Sequence, residues 1–219
     1  MNRRTLVVGA VAIAAILFAT GAYIYDRGAA DRQAKIAAEA QSYLVRPHSP
    51  VLGPQNAPVT VVEFFDPSCE SCRAFYPIVK QIMAKYPEDV RVVIRYAPFH
   101  EGSDEAVRIM EAARLQNLYV PVKEALLQTQ PTWAVHGAPN LSIAWAAAQA
   151  VGLNYTRAQN DAKRPEIANI LQQDQADLRA AKVRQTPSFF VNGKPLTSFG
   201  SRQLNELVDA EVEASRKTK

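Results

Sequence analysis

Residues 59–72 read VTVVEFFDPSCESC, and this stretch places a pair of cysteines between two kinds of secondary structure. The run 59–65 is rich in β-branched and aromatic residues, which is typical of a buried strand. The only two cysteines of the 219-residue chain, Cys69 and Cys72, follow this run, and a helical pattern occupies 73–86. A Cys-x-x-Cys pair between a strand and a helix indicates a redox-active dithiol.

The start of a helix is a favourable place for thiol chemistry. A cysteine in the first turn has its thiolate stabilised by unpaired backbone N–H groups and by the positive end of the helix dipole. The second cysteine, one turn later, can reach back and close a small disulfide with the first.

Three other interpretations of the pair are weaker. A structural zinc site needs four ligands, and the remaining candidates are scattered without ligand spacing: His48, His100 and His136. Covalent haem attachment requires a histidine directly after the second cysteine, where this chain has Arg73. A purely structural disulfide stays possible, although closing so short a loop removes little chain entropy.

The N-terminal segment predicts a membrane anchor. Residues 5–25 carry no charge, and as a helix they would be roughly 30 Å long, the thickness of the hydrocarbon core of a bilayer. Arg3 and Arg4 would hold residues 1–4 in the cytoplasm. A cleaved signal peptide is the alternative, with the small residues 19–21 as its cleavage site. Both alternatives place the cysteines in an oxidising compartment.

The rest of the chain predicts a stalk and one domain. Residues 26–58 read as an Ala-rich helical stalk (26–45) followed by a linker (46–58) that is rich in Pro and Gly. The domain is expected over 59–214, with a helical insertion at about 100–183. Its element order reads β-α-β, with the second strand at 90–96, then a helical block, and then β-β-α with an Asn-Gly hairpin turn. The net charge of +4 is interspersed, which argues against nucleic acid as a partner.

This α/β order resembles the thioredoxin fold with an inserted helical block, and the chain is similar to the DsbA-like family of bacterial thiol:disulfide oxidoreductases. Three motifs carry the resemblance. An acidic residue, Glu63, stands six positions before Cys69, and Pro77 follows that cysteine by eight, where the thioredoxin active-site helix carries a proline. Residues 186–193, TPSFFVNG, match the cis-proline loop and the hairpin after it.

The resemblance implies the mechanism and the catalytic residues. Cys69, nearer the helix start and more exposed, would form a mixed disulfide with the substrate, and Cys72, more buried, would resolve it. The Thr186–Pro187 bond would be cis and pack beside the disulfide, with both residues flanking the substrate. A rigid turn that only shapes the loop is the alternative role for Pro187. The disulfide itself is the redox centre, so we expect no cofactor and no metal.

Glu63 is the third predicted catalytic residue. It interrupts an otherwise apolar strand, and burying a carboxylate without a partner costs free energy. The resemblance implies that it lies beneath the disulfide and transfers a proton to or from Cys72. The alternative is an edge or solvent-facing position in a half-buried strand.

The two residues between the cysteines, Glu70 and Ser71, are expected to tune the redox potential. A negative charge at Glu70 should raise the pKa of Cys69 and partly cancel the effect of the helix dipole. A less stabilised thiolate makes the couple less oxidising, so we expect a milder potential than that of the strongly oxidising family members. The residue directly before the proline, Thr186, resembles the one in the isomerase and reductase members more than the one in the strongest oxidases.

The resemblance also implies the location and the partners. We expect a single-pass protein of the bacterial inner membrane with its catalytic domain in the periplasm, or a periplasmic protein if the anchor is cleaved. Its partners would be protein thiols and disulfides, together with a membrane or soluble protein that recycles the dithiol. A disulfide reductase or isomerase and a Cu(I)-handling protein are the alternatives. We assign no catalytic role to His100 or His136, and Trp133 and Trp145 are expected in the core.

Overall fold

The computed structural model describes residues 42–217 and, before them, positions 18, 20, 21, 23, 25, 27 and 28, all with helical backbone. Most of the predicted anchor (5–25) and of the predicted stalk helix lies outside these residues, so both stay predictions. In the part of the chain that is described, no helix has the length and apolar character needed to cross a membrane. The chain divides into the units Met1–Ser42 and Tyr43–Lys219, and the second holds both cysteines.

A five-stranded mixed sheet lies at the centre of the second unit, in the order β1-β3-β2-β4-β5. The strands are β1 (Val51–Leu52), β2 (Val59–Phe65), β3 (Val90–Tyr96), β4 (Ser188–Val191) and β5 (Lys194–Pro195). Strands β2 and β3 are parallel, and the other neighbouring pairs are antiparallel. All seven residues of β2 are buried because it is the middle strand.

Helices form the crossover between β2 and β3, the inserted block and the element after β5. They are α1 (Glu70–Lys85), α2 (Ser103–Arg114), α3 (Tyr119–Trp133), α4 (Leu141–Ala150), α5 (Tyr155–Asp161), α6 (Pro165–Ala180) and α7 (Ser201–Lys217). Helix α1 connects the parallel pair β2 and β3, which is the predicted β-α-β unit. Its buried residues are spaced by three or four positions and form one apolar face: Cys72, Phe75, Val79 and Ile82.

Most of the predicted architecture is confirmed. The two strands of the parallel pair have the predicted bounds, and helices α2–α6 fill the expected insertion. The Thr186–Pro187 bond is cis, and Pro77 lies inside α1. Trp133 and Trp145 are both buried in the hydrophobic core.

The structure corrects the predicted linker. Residues 46–58 belong to the domain, because β1 within them pairs with β3, with Val51 opposite Val93. Gly53 has a positive φ of 95°, and a Cβ there would lie 2.9 Å from the Val90 carbonyl oxygen. The glycine and prolines of this segment therefore form turns packed against the sheet.

A buried ionic network ties the segment before β1 to helix α6. Arg95 of β3 is fully buried, and its Nη2 lies 2.7 Å from Oδ1 of Asp174 and 2.7 Å from Oδ2 of Asp177. From the preceding segment, Arg46 Nη2 contacts Asp177 at 2.7 Å, and His48 Nε2 contacts Asp174 at 2.7 Å. Two carboxylates thus hold three basic side chains from β3 and the chain before β1 together.

We expect Asp174→Asn to lower the free energy of unfolding by about 3–5 kcal/mol, because removing one partner of a buried ion pair leaves the other charge uncompensated. The matched control is Glu206→Gln, which breaks an exposed pair with Arg202 and should cost less than about 1 kcal/mol. Urea unfolding of the two variants measures both values. Equal, small losses would show that the network does not stabilise the domain.

Candidate active site

Cys69 sits at the end of the loop that joins β2 to helix α1. It is the N-cap residue of α1, with φ −79° and ψ 121°, so its sulfur lies at the end of the helix where backbone N–H groups are free. Cys69 is 6% exposed and Cys72, one turn later, is fully buried. This is the order of exposure expected for an attacking and a resolving cysteine.

The two thiols have opposite acidities. Hydrogen bonding from the Cys72 thiol lowers the pKa of Cys69 to about 5, against the opposing effect of burial. The Thr186 side chain and the backbone N–H groups of Cys72 and Ser71 add to this stabilisation. Burial, followed by the hydrogen bond to Cys69 and the charge of Glu63, raises the pKa of Cys72. In the reduced protein Cys69 is therefore the thiolate and Cys72 keeps its proton.

The cis-proline loop lies against the first cysteine. The Thr186 carbonyl oxygen is 3.3 Å from Cys69 Sγ, and Pro187 is buried directly before strand β4. The antiparallel pairing of β4 with β2 brings the loop to the same end of the sheet as the dithiol. The structure thus brings together the Thr186–Pro187 loop and the cysteines, which are more than a hundred residues apart in the chain.

A buried carboxylate, Asp66, organises the loops around the dithiol. Its Oδ1 accepts hydrogen bonds from the Ser68 backbone N–H at 2.8 Å and from the Ser103 hydroxyl at 2.5 Å. Its Oδ2 accepts from the Phe99 N–H at 2.8 Å and lies 2.7 Å from His100 Nδ1. One side chain therefore joins the loop before Cys69, the loop after β3 and the start of α2.

Two histidines lie near Glu70, the residue predicted to tune the redox potential. The exposed Glu70 carboxylate lies 3.0 Å from His136 Nε2, and the His136 and His100 rings meet edge to face at 5.5 Å. Although burial opposes it, Asp66 and the charge of Cys69 raise the pKa of His100. Hydrogen bonds from the Glu70 backbone N–H and from His136 lower the pKa of the Glu70 carboxyl group.

Glu63 lies on the buried central strand and is 1% exposed, which excludes the edge position considered from the sequence. Its Oε2 is 4.0 Å from Lys123 Nζ of helix α3, too far for a direct hydrogen bond. Neither of these two atoms has a hydrogen-bond partner within the described residues. The ammonium lies over the rings of Phe65 and Tyr76, at 4.5 Å and 4.9 Å from their centroids.

Burial moves both groups of this pair toward their neutral forms. It raises the pKa of Glu63, with Lys123 acting in the opposite direction and Cys69 adding to the rise. It lowers the pKa of Lys123, where the charges of Glu63 and Cys72 act in the opposite direction. Glu63 consequently holds a proton at a higher pH than an ordinary carboxyl group, and its charge contributes to the raised pKa of the buried Cys72 thiol.

Two open cavities flank the loop after α3, next to Ser68 and Glu70. One has a volume of about 250 Å³ and includes Phe99 and His100 in its lining. The other has a volume of about 410 Å³ and includes Arg73 and Gln130. They share the wall formed by Ala134, Val135 and His136. Among the described residues, no group of three or more His, Cys, Asp or Glu side chains is placed to hold a metal ion.

Comparison with known proteins identifies the family. The sequence profile of the family described as Thioredoxin matches residues 46–210. This chain belongs to the thioredoxin family. A thioredoxin-like oxidoreductase from Silicibacter pomeroyi is 31% identical, with a TM-score of 0.68 over 81% of this chain and 97% of that one. Wolbachia pipientis alpha-DsbA1 shares the fold at 16% identity, with a TM-score of 0.72 over 82% of this chain and 98% of that one.

This thioredoxin-family chain has the DsbA-like fold that the motifs around the dithiol predicted. It also matches part of a membrane transporter. The Na(+)/H(+) antiporter NhaA of Herminiimonas arsenicoxydans is 29% identical over 167 residues, which are 76% of this chain and 26% of the antiporter. The chain thus spans about a quarter of the length of the curated relatives it matches.

Sequence reasoning missed Lys123, Asp66 and the proximity of the two histidines. Lys123 had a detectable signal, because it falls on the same helical face as Tyr119, Val122 and Leu126, which are buried. A lysine on such a face indicates a buried partner. Asp66 and the histidines carried no such signal, since loops from three parts of the chain bring them together.

The acidity of Cys69 is directly measurable in the reduced protein. We expect thiolate absorbance near 240 nm to titrate with a midpoint near pH 5, and the rate of alkylation by iodoacetamide to fall below that pH. Cys72→Ala should move the midpoint upward, because it removes the hydrogen bond that contributes most to the shift. A wild-type midpoint at the ordinary cysteine value, about 8.5, would contradict this geometry.

Proposed function

We propose that this thioredoxin-family protein exchanges disulfides with protein thiols outside the cytoplasm. Cys69 would be attacked by substrate thiolates in the oxidising direction and would itself attack substrate disulfides in the reducing direction. The observation that carries the proposal is the pairing of an acidic, slightly exposed Cys69 with a fully buried Cys72 beside a cis-proline loop. A structural disulfide requires neither the difference in acidity between the two thiols nor the partial exposure of one of them. An exchange reaction requires both.

In the oxidising direction a substrate thiolate attacks Cys69 Sγ of the disulfide. A bond forms between the substrate and Cys69, the Cys69–Cys72 bond breaks, and Cys72 leaves with the electron pair. A second substrate thiolate then attacks the substrate sulfur of the mixed disulfide, so the substrate is oxidised and Cys69 departs as the stabilised thiolate. Two electrons pass from the substrate to the dithiol, and the reducing direction reverses each step.

Cys72 needs a proton when it leaves, because its raised pKa makes the free thiolate unfavourable. Glu63 can supply that proton, since burial raises the pKa of its carboxyl group. When Cys72 attacks during resolution, ionised Glu63 can take the proton back. Lys123 sets the balance between the two forms because its charge favours the carboxylate.

We expect Glu63→Gln to slow resolution of the mixed disulfide on the order of 10²-fold, because the amide fills the same space but exchanges no proton. Lys123→Met should raise the pKa of Glu63 further and move the pH profile of that step to higher pH. Stopped-flow mixing with a single-cysteine peptide disulfide measures both effects, and circular dichroism checks the fold. Wild-type kinetics in Glu63→Gln would exclude the proton-transfer role.

The substrate would lie between the cis-proline loop and the two cavities. The Thr186 backbone next to Cys69 Sγ can pair with an extended peptide segment, while Pro187 presents no N–H group of its own. The cavities offer room for flanking side chains, and the half-exposed Phe99 and Val135 give them apolar walls. An unfolded protein segment that carries a cysteine fits such a surface.

The location and the recycling partner belong to this proposal. The apolar run 5–25, flanked by Arg3 and Arg4, supports an inner-membrane anchor with the catalytic domain in the periplasm. A dithiol can cycle there because the compartment is oxidising. Each turnover changes the oxidation state of the Cys69–Cys72 pair, so a membrane or soluble partner has to restore it.

The redox potential decides the direction of exchange, and Glu70 is the residue that we expect to shift it. The full-length protein should equilibrate with glutathione near roughly −200 mV or below, the range of reductases and isomerases. Glu70→Ala should make the couple more oxidising, by less than about 30 mV, because this exposed carboxylate is paired with His136. A wild-type value above roughly −150 mV would indicate an oxidase instead.

The activity test uses reduced and scrambled ribonuclease as protein substrates. The wild-type protein should speed formation or rearrangement of their disulfides, and Cys69→Ser should abolish this activity. If the wild-type protein left both substrates unchanged, the proposal that it acts on protein thiols would fail.

A further inference from the structure

We propose that Gln130 is a positioning residue for Cys69, holding the loop before helix α1 so that the helix N-terminus stays directed at the reactive sulfur. Gln130 lies at the C-terminal end of α3, in the helical insertion and sixty-one residues from Cys69 in the chain. It therefore links the inserted block to the dithiol.

Within the described residues, the hydrogen bonds of the Gln130 side chain go to the active-site segment. The side chain is buried, with the residue 1% exposed. Its Nε2 donates to the Pro67 carbonyl oxygen at 2.8 Å and to the Cys69 carbonyl oxygen at 3.0 Å. Its Oε1 accepts from Arg73 Nε at 2.8 Å. The amide thus spans the segment from two residues before Cys69 to one residue after Cys72.

The chemistry of these partners determines which way the amide points. Two carbonyl oxygens can only accept, so they require the NH₂ group, and a guanidinium can only donate, so it requires the oxygen. The residue in this position must offer two donors on one side and an acceptor on the other, at the length of a glutamine side chain. No apolar or acidic side chain can do both.

Cys69 needs such outside support because it is an unusual N-cap. Ser, Thr, Asp and Asn fix the first turn through strong hydrogen bonds to a side-chain oxygen. The Cys69 sulfur is a weak acceptor and makes no hydrogen bond of that geometry, so the N–H groups of Ser71 and Cys72 act on it less strongly. Within the loop, the backbone supplies a hydrogen bond from Cys69 N to the Asp66 oxygen at 3.2 Å and one from Arg73 N to the Cys69 oxygen at 3.1 Å. Gln130 adds a second hydrogen bond to the Cys69 carbonyl and anchors Pro67 as well.

This support has an electrostatic consequence at the sulfur. The thiolate is stabilised by the N–H groups of Ser71 and Cys72, which must point at Sγ to be effective. The carbonyl groups of Cys69 and Pro67 place partial negative charge in the loop that carries the sulfur. The Gln130 NH₂ group fixes these carbonyls and partly compensates their negative charge. Loss of the amide therefore weakens the thiolate as well as the loop.

The first test compares two matched variants of the full-length protein, Gln130→Met and Gln128→Met. Both glutamines lie on α3, but Gln128 is exposed. Gln130→Met should raise the pKa of Cys69 by about one unit, because it loses hydrogen bonds of ordinary strength. A tenfold change in the equilibrium constant of a two-electron couple corresponds to about 30 mV. The redox potential of the Cys69–Cys72 pair should therefore become more reducing by about 30 mV. Gln128→Met should leave both values unchanged.

A second variant distinguishes the role of the Gln130 NH₂ donor from that of its oxygen acceptor. Gln130→Glu can still accept from Arg73 but, when ionised, cannot donate to the two carbonyls. We expect it to raise the pKa of Cys69 at least as much as Gln130→Met does. A wild-type pKa in Gln130→Glu would show that only the contact with Arg73 matters, and would overturn the proposal.

Stability measurements distinguish positioning from packing. If Gln130→Met lowers the melting temperature while the pKa of Cys69 and the redox potential stay at their wild-type values, Gln130 is a structural residue and the proposal is wrong. The titration requires neither a protein substrate nor a recycling partner. Its outcome is therefore independent of whether the proposed extracytoplasmic function holds.

Discussion

A thiolate at Cys69 can exist at neutral pH only while its sulfur faces the first N–H groups of helix α1 and the thiol of Cys72. Much of the surrounding structure serves this arrangement. Asp66 fixes the loop before Cys69 to the loop after β3, and Thr186 closes the site from the side of β4. Because these contacts come from separate parts of the chain, the reactivity of one sulfur depends on the whole fold.

Buried ionic groups lie on both faces of the sheet, but the completeness of their pairing differs. On one face, Arg95 is fully paired with Asp174 and Asp177, so its charge is compensated and the network serves stability. On the other, Glu63 and Lys123 are 4.0 Å apart and incompletely paired. A pair of this kind is a poor source of stability but a suitable proton donor and acceptor, because neither group is fixed in its charged form.

Local patterns allowed strands β2 and β3 to be predicted to the residue, since each is rich in β-branched and aromatic residues and has a clear end. Strand β1 escaped prediction because two residues show no periodicity, and its formation depends on pairing with β3. The same limit applies to the site. Glu63 stood out as a carboxylate in an apolar strand, whereas its partner Lys123 comes from helix α3, sixty residues later.

The sequence by itself determined the motifs of a redox dithiol: two cysteines at a strand–helix junction, an acidic residue six positions before the first cysteine and a Thr-Pro loop before a hairpin. Those features are local and their spacing has physical meaning without coordinates. Only the tertiary structure decided what surrounds the sulfur, including His136 beside Glu70 and Gln130 on the Cys69 carbonyl. Such contacts arise from the packing of the inserted helices against the active-site loop, and no spacing along the chain encodes them.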